Sequence, residues 1–134
     1  MLKTYAGSCH CKAVRFEVDL DLAAGTGRCN CSMCFKTRSW NLSVKPDAFR
    51  LLAGADAQSD YQFGSNSIHN LFCKTCGVRS FGHGDIAEMG GAFVSVRLNA
   101  LDDVPAEELV AAPVTYYDGL HNNRWHSPEE TRHL

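Results

Sequence analysis

The sequence predicts a mainly β fold, a compact domain of short, packed and mostly antiparallel strands with little helix. Two observations predict it. Several short segments alternate apolar and polar residues, as strands with one buried face do. Helical signals are confined to one short stretch near residue 106. A third observation, the grouping of seven cysteines, indicates how such short strands are held together.

Length and composition are those of one globular domain. The chain has 134 residues, of which 45% are hydrophobic and 21% charged, and these values are usual for a protein with its own core. No linker, repeat or low-complexity tract divides the chain. We therefore expect residues 1–134 to form a single domain, with an irregular polar tail after about residue 120.

The strands are predicted from alternation and from β-branched and aromatic residues. In chain order they are residues 12–18, 39–44, 49–52, 61–63, 68–72, 79–81, 92–99 and 114–117. Two of them place three large apolar side chains on one face: Val14, Phe16 and Val18 in the first, and Val94, Val96 and Leu98 in the seventh. In the second strand, Trp40 is expected to belong to the core.

One helix and one long loop complete the predicted elements. Residues 103–109 carry an acidic residue and then Pro105 at the start, which favours a helix of about two turns. Residues 82–91 contain four glycines and are predicted to form a loop or a wide hairpin connection.

Charge and hydropathy argue against two classes of partner. The formal net charge of −2 gives no strong attraction to nucleic acid or anionic lipid. No apolar run approaches the roughly 18 residues that span a bilayer, and the first residues lack the apolar segment of a signal peptide. The sequence therefore predicts a soluble, cytoplasmic protein that binds neither nucleic acid nor membrane. A homodimer is possible, because edge strands of small β domains often pair.

The cysteines fall in three groups with ligand-like spacing. They are Cys9 and Cys11; Cys29, Cys31 and Cys34; and Cys73 and Cys76, the last followed by Gly77. In an extended segment a C-x-C pair directs both sulfurs to one side. A C-x-x-C pair wraps a turn around a metal, and a following glycine lets the backbone turn away at positive φ. Thiolates at this density select zinc, or less often iron.

Counting the cysteines predicts two zinc ions per chain. A closed structural zinc site uses four protein ligands, and a catalytic site keeps three with one open position. Seven cysteines satisfy one site of each kind. One natural partition joins the first and third groups and leaves the second as a local three-thiolate site, although the arithmetic leaves other partitions open.

The motifs that carry these cysteines are similar to those of a known family. Residues 7–16 read GSCHCKAVRF, residues 29–34 CNCSMC and residues 72–77 FCKTCG, and residues 101–103 and 117–121 read LDD and YDGLH. They resemble the glutathione-dependent formaldehyde-activating enzyme family, which includes the centromere protein V-like domains. The resemblance covers roughly residues 5 to 120 and implies a zinc-containing fold of mostly antiparallel strands.

The resemblance also implies site roles and a reaction. It implies structural zinc at Cys9, Cys11, Cys73 and Cys76, and catalytic zinc at Cys29, Cys31 and Cys34. The activity it implies is the addition of glutathione to formaldehyde to give S-hydroxymethylglutathione, formally that of a carbon–sulfur lyase running in the synthetic direction. The expected partner is therefore a small thiol, glutathione or an analogue.

Other polar residues are weaker candidates. Lys36 and Arg38 are candidates to hold a glutathione carboxylate, because arginine offers a bidentate fork, although solvated surface charges are commoner. His10, His69 and His83 are candidate fourth ligands or proton shuttles. Each is more often not a ligand, since cysteine already supplies the required number.

Three alternatives stay open. A zinc-binding nucleic-acid module is expected to cluster its Lys and Arg residues, which are dispersed here. A methionine sulfoxide reductase of the B type needs a reactive thiol outside the zinc site, and none follows Cys76. A structural or protein-interaction domain without catalysis is expected to have both metal sites closed.

Overall fold

The protein is described by a computed structural model over residues 1–123 and 125–134. These residues form ten strands and two α-helices, connected by short 3-10 turns. The strands are β1 (Lys3–Ser8), β2 (Arg15–Leu20), β3 (Thr26–Cys29), β4 (Asn41–Val44), β5 (Phe49–Ala53), β6 (Gln58–Tyr61), β7 (Ile68–Cys73), β8 (Phe81–Ile86), β9 (Gly91–Arg97) and β10 (Val114–Tyr117). The helices are α1 (Ser32–Thr37) and α2 (Ala106–Ala111). The prediction of a mainly β fold is confirmed.

The strands form two sheets. The smaller has the order β1-β2-β5 and the larger the order β10-β3-β4-β9-β8-β7-β6. Neighbouring strands are antiparallel, except that β10 runs parallel to β3. Neither helix in the described part of the chain is long and apolar enough to cross a membrane.

The core lies between the inner faces of the two sheets. Phe16 of β2 is 1% exposed, and its ring lies 5.2 Å from that of Phe49 and 5.9 Å from that of Phe81. Val18 and Val96 are fully buried beside them. Burial of such side chains contributes about 1.5–3 kcal/mol each, so this apolar layer is the main stabilising contact between the sheets.

Gly7 is required by the packing of this core. It lies opposite Phe16 in the β1–β2 pair, and a Cβ atom at Gly7 would lie 2.1 Å from Cζ of that ring. We expect Gly7→Ala to lower the free energy of unfolding by about 1–3 kcal/mol, because the ring must leave its packed position. Chemical denaturation measures this, with the exposed neighbour change Ala6→Ser as the control. Equal stability of the two variants would contradict the prediction.

Several predicted boundaries were wrong. Strands β1 and β3 and helix α1 were not predicted, and β6 ends at Tyr61, where the predicted strand 61–63 begins. The predicted helix 103–109 lies three residues later, as α2. The C-x-x-C pair of Cys31 and Cys34 was expected to form a turn. Instead, Cys31 caps α1, its sulfur accepting from the Cys34 N–H, and the chain continues as helix.

The predicted loop at residues 82–91 was too long: residues 87–90 connect β8 to β9, but the residues before them form a strand. Residues 81–86 form β8, between β7 and β9 in the larger sheet. A Cβ atom at Gly82 would lie 2.6 Å from the carbonyl oxygen of His69, and one at Gly84 would lie 2.8 Å from that of Ser67. These glycines allow two segments of backbone to lie close together. A sequence alone does not show whether a glycine is needed for such close packing or for the conformational freedom of a turn.

Candidate metal centres and active site

The seven cysteines lie in two groups. Cys9, Cys11, Cys73 and Cys76 form one, called here the four-cysteine cluster, and Cys29, Cys31 and Cys34 form the other, the three-cysteine cluster. Within each group the Sγ atoms all lie within 4.8 Å of one another. No cysteine is in a disulfide. Each group can therefore hold a metal ion with thiolate ligands.

The four-cysteine cluster joins the ends of two strands from different sheets. Cys9 follows β1 and Cys73 ends β7, and the two are 2% and 1% exposed. The Sγ atom of Cys11 lies 3.7 Å from that of Cys9 and 3.6 Å from that of Cys73. The cluster therefore connects segments that are more than sixty residues apart in the chain.

Tight turns direct backbone N–H groups at these sulfurs. The N–H of Val14 donates to Cys9 Sγ at 3.3 Å and that of Thr75 to Cys73 Sγ at 3.4 Å. Gly77 adopts φ +76°, which confirms the positive φ expected after the C-x-x-C pair. Backbone N–H groups of Cys11 and Val78 lower the pKa of Cys76 to about 6. This favours the thiolate form in which cysteine binds metal.

The three-cysteine cluster is local and more open. Cys29 ends β3, Cys31 caps α1 and Cys34 lies within that helix. The Cys31 N–H donates to Cys29 Sγ at 3.4 Å, and the Cys34 N–H donates to Cys31 Sγ at 3.4 Å. All three side chains are half-buried. Because α1 presents these sulfurs at the surface, a small molecule can approach them.

Crowding of the sulfurs produces opposite pKa shifts. Hydrogen bonds from the thiols of Cys29 and Cys34 lower the pKa of Cys31 to about 2. Cys29 and Cys31, together with burial, raise the pKa of Cys34 far above its ordinary value. Three thiolates this close repel one another, so a bound divalent cation is what allows all of them to ionise together. The donor set therefore fits a zinc ion.

Asn30 holds a C-terminal loop against this cluster. Its side chain donates to Asp118 Oδ1 at 2.9 Å and accepts from the Leu120 N–H at 2.9 Å. Its own N–H donates to the Tyr117 carbonyl at 3.2 Å. This role of Asn30 was not predicted from the sequence, although its position between two cysteines and the YDGLH motif are both present there.

Gly119 lies where this loop touches the sulfurs. A Cβ atom there would lie 2.6 Å from Cys29 Sγ and 2.9 Å from Cys31 Cβ. We expect Gly119→Ala to weaken metal binding by the three-cysteine cluster about 10- to 100-fold, the loss usual when the support of a ligand is disturbed. Competition with a chromophoric chelator measures this affinity.

The control for this change is Gly64→Ala, at a turn with open space around a Cβ atom. Gly64 has φ +61°, so the control carries backbone strain without any contact with a cysteine. If both variants retain the wild-type affinity for metal, the loop does not support the cluster.

The other candidates from the sequence are not among the grouped metal-ligating side chains. Among the described residues, neither group includes a histidine. His10 is exposed, while His69 and His83 are cross-strand neighbours with ring centroids 4.4 Å apart. Lys36 is exposed on α1, and Arg38 lines a narrow pocket that includes Cys29 and Cys34.

Two arginines near the three-cysteine cluster were not predicted. Burial lowers the pKa of both Arg79 and Arg97, and the negative charge of Cys34 opposes this shift in each. Arg79 follows the third cysteine group by three residues, and Arg97 lies in β9 on the face opposite Val96. Sequence alternation marks Arg97 as outward-facing, and nothing in the sequence indicates that the outer face is buried there.

Comparison with known proteins finds a matching family, curated relatives and solved structures. A family model described as glutathione-dependent formaldehyde-activating enzyme matches residues 4–118. A curated relative from Halomonas elongata, named as a putative glutathione-dependent formaldehyde-activating enzyme, is 36% identical over 78 residues, which cover 52% of this chain and 50% of the relative. The chain thus matches about half the length of that relative. A crystal structure of a Rhodobacter sphaeroides protein superposes with a TM-score of 0.70 at 30% identity, covering 82% of this chain and 99% of that one.

Proposed function

Because this chain belongs to the glutathione-dependent formaldehyde-activating enzyme family, we propose that it adds a thiol such as glutathione to formaldehyde or a related small carbonyl. The product with glutathione is S-hydroxymethylglutathione, so the activity is that of a carbon–sulfur lyase acting in the synthetic direction. The observation that carries the proposal is the three-cysteine cluster, which is half-buried and offers only three protein ligands among the described residues.

Zinc is the metal we propose for both clusters. Cys9, Cys11, Cys73 and Cys76 would hold a structural ion, because four thiolates complete its coordination. Cys29, Cys31 and Cys34 would hold the catalytic ion. There, zinc supplies one open position and lowers the pKa of a thiol that enters it.

The chain's own residues bind and orient the reactants. Cys31 and Cys34 are presented by α1 and its N-terminal turn, and the loop at Gly119 covers the side of Cys29. This leaves the face toward the pocket of Cys29 and Cys34 for the incoming thiol. In the addition, the S–H bond of the thiol breaks, a C–S bond forms, and the proton ends on the former carbonyl oxygen.

Exchange NMR on mixtures of glutathione and formaldehyde tests this function. We expect the zinc-loaded protein to accelerate formation of the adduct above the uncatalysed rate, and heat-denatured protein with added zinc is the control. Equal rates with and without folded protein would reject the activity. A structural or interaction domain without catalysis, the alternative from the sequence, would then be favoured.

The cytoplasm is the location we propose. All seven cysteines are free thiols, and a reducing compartment keeps them available for metal. A homodimer stays a prediction.

A further inference from the structure

A second cavity lies beside the three-cysteine cluster. Its volume is about 290 Å³, and its walls include Thr37 and Ser39 next to α1 and the side chains of Arg79 and Arg97. Ser39 also lines the narrow pocket of Cys29 and Cys34. The two spaces are therefore adjacent at Ser39, which places the arginines of the cavity near the sulfurs.

Short contacts fix Arg79 close to the cysteines. Its Nη1 donates to Thr37 Oγ1 at 2.9 Å, and Thr37 follows Cys34 by three residues in the same helix. Side chains with this spacing lie on one face of a helix, with Cβ atoms about 5–6 Å apart. The Arg79 guanidinium is therefore within a dipeptide's length of the sulfur of Cys34.

Both arginines lack an acidic partner. Arg79 donates to the neutral oxygens of Thr37 and Asn70, and Arg97 donates to Ser95 Oγ at 3.0 Å. In the described part of the chain neither forms an ion pair with a carboxylate. Arg97 is only 8% exposed, and burial together with the charge of Arg79 lowers its pKa to about 10. Two guanidinium groups thus remain charged in a partly dry site at neutral pH.

Several buried polar atoms in the wall of this cavity, or in residues next to it, have no hydrogen-bond partner. They are Nε of Arg79, Nε of Arg97, Oγ of Ser80 and Oδ1 of Asn41. Asn41 is the cross-strand partner of Arg97, and Ser80 accepts the Arg97 N–H through its carbonyl. Unpartnered buried groups of this kind are destabilising and rare in folded proteins. The two arginine Nε atoms belong to residues that line the cavity, which favours a polar ligand there.

We propose that Arg79 and Arg97 form a carboxylate-binding subsite for the thiol substrate. The subsite holds a carboxylate of the thiol while its sulfur reaches the three-cysteine cluster. The substrate class is therefore thiols that carry a carboxylate, such as glutathione, rather than neutral thiols. This inference rests on the proposed function for the role of the thiol. It assigns the carboxylate to Arg79 and Arg97 rather than to Lys36 and Arg38, which are both exposed to solvent.

Calorimetric titration of the zinc-loaded protein with glutathione and with glutathione diethyl ester tests the proposal. The two ligands share the thiol and differ in their carboxylates. We expect the ester to bind about 10- to 100-fold more weakly, which corresponds to the loss of charge-assisted hydrogen bonds. Equal affinity of acid and ester, or no measurable binding of glutathione, would overturn the proposal.

Variants test whether the two arginines cause the preference for glutathione over its ester. We expect Arg79→Gln to bind glutathione as weakly as wild type binds the ester, with little further loss for the ester. Arg97→Lys keeps a positive charge at the more buried of the two positions. We expect this variant to lose part of the preference for glutathione over its ester. Arg15→Gln, on an exposed position of the other sheet, is the control. Parallel losses for acid and ester in Arg79→Gln would show a structural role and overturn the proposal.

Binding and catalysis separate this inference from the proposed function. A protein that prefers glutathione to its ester but does not accelerate addition to formaldehyde refutes the function and keeps the subsite. A protein that accelerates the addition equally for glutathione and its ester keeps the function and refutes the subsite.

Discussion

Replacing Cys31 by serine is expected to lower the rate of thiol addition by more than about 100-fold and to leave the fold intact. Loss of residues that merely support a metal ligand already costs about 10- to 100-fold, and Cys31 is a proposed ligand. The fold is spared because the cluster spans only residues 29–34 and because serine is a good N-cap. Its hydroxyl can accept the Cys34 N–H that Cys31 Sγ now accepts at 3.4 Å.

Two measurements check this prediction together. Elemental analysis should find one zinc ion fewer per chain than in wild type, and the thermal unfolding midpoint should change by only a few degrees. Full activity in Cys31→Ser would contradict the assigned role of the cluster. Full zinc content with lost activity would show that Cys31 acts in some way other than as a ligand.

Replacing Cys76 by serine is expected to lower the free energy of unfolding by at least about 3 kcal/mol. In small zinc domains, metal binding contributes apparent free energies of about 10–16 kcal/mol, and whole domains are stable by only about 5–15 kcal/mol. Cys76 and Cys31 are both half-buried, so the same substitution at the two positions isolates the role of each cluster. The four-cysteine cluster ties β1 to β7 across the two sheets, so its loss releases both.

Chemical denaturation of Cys76→Ser and Cys31→Ser beside wild type measures the difference. Addition of a strong chelator to wild type should lower the free energy of unfolding by about as much as Cys76→Ser does. A Cys76→Ser protein as stable as wild type would show that β1 and β7 are held by apolar packing alone. In that case the four-cysteine cluster would have no structural role.

The two clusters differ because their ligands come from different levels of structure. Local hydrogen bonds around α1 bring Cys29, Cys31 and Cys34 together, so their convergence needs only a few residues. Cys9 and Cys73 meet because two strands of different sheets end at the same place. We therefore expect loss of metal from the three-cysteine cluster to leave the fold intact, and loss of metal from the four-cysteine cluster to destabilise it.

Elements with a strong alternating pattern were predicted well. Val14, Phe16, Val18, Val96 and Leu98 are all at most 1% exposed, on the faces that alternation indicated. Strand β10 matches its predicted range of 114–117. These predictions succeeded because the side-chain period of a strand is a local property.

Elements that depend on distant contacts were predicted poorly. Strand β1 buries Gly7 beneath the ring of Phe16, and a glycine in that position weakens the alternating signal. Strand β8 contains glycines that accommodate the backbone of β7. In both strands, glycine is required by a contact with a residue that is distant in the chain. The neighbouring residues in the sequence therefore do not indicate that these segments are strands.

For this protein, the spacing of seven cysteines and the alternation of apolar residues were enough to predict a mainly β domain with groups of cysteines that could bind metal. Folding alone brought Cys9 and Cys11 to Cys73 and Cys76, placed Asn30 and Gly119 against Cys29, and buried Arg79 and Arg97 beside α1. The reason is that ligand spacing and strand period are encoded by neighbours in the chain. The burial of a charge, by contrast, depends on which distant strands and helices come to cover it.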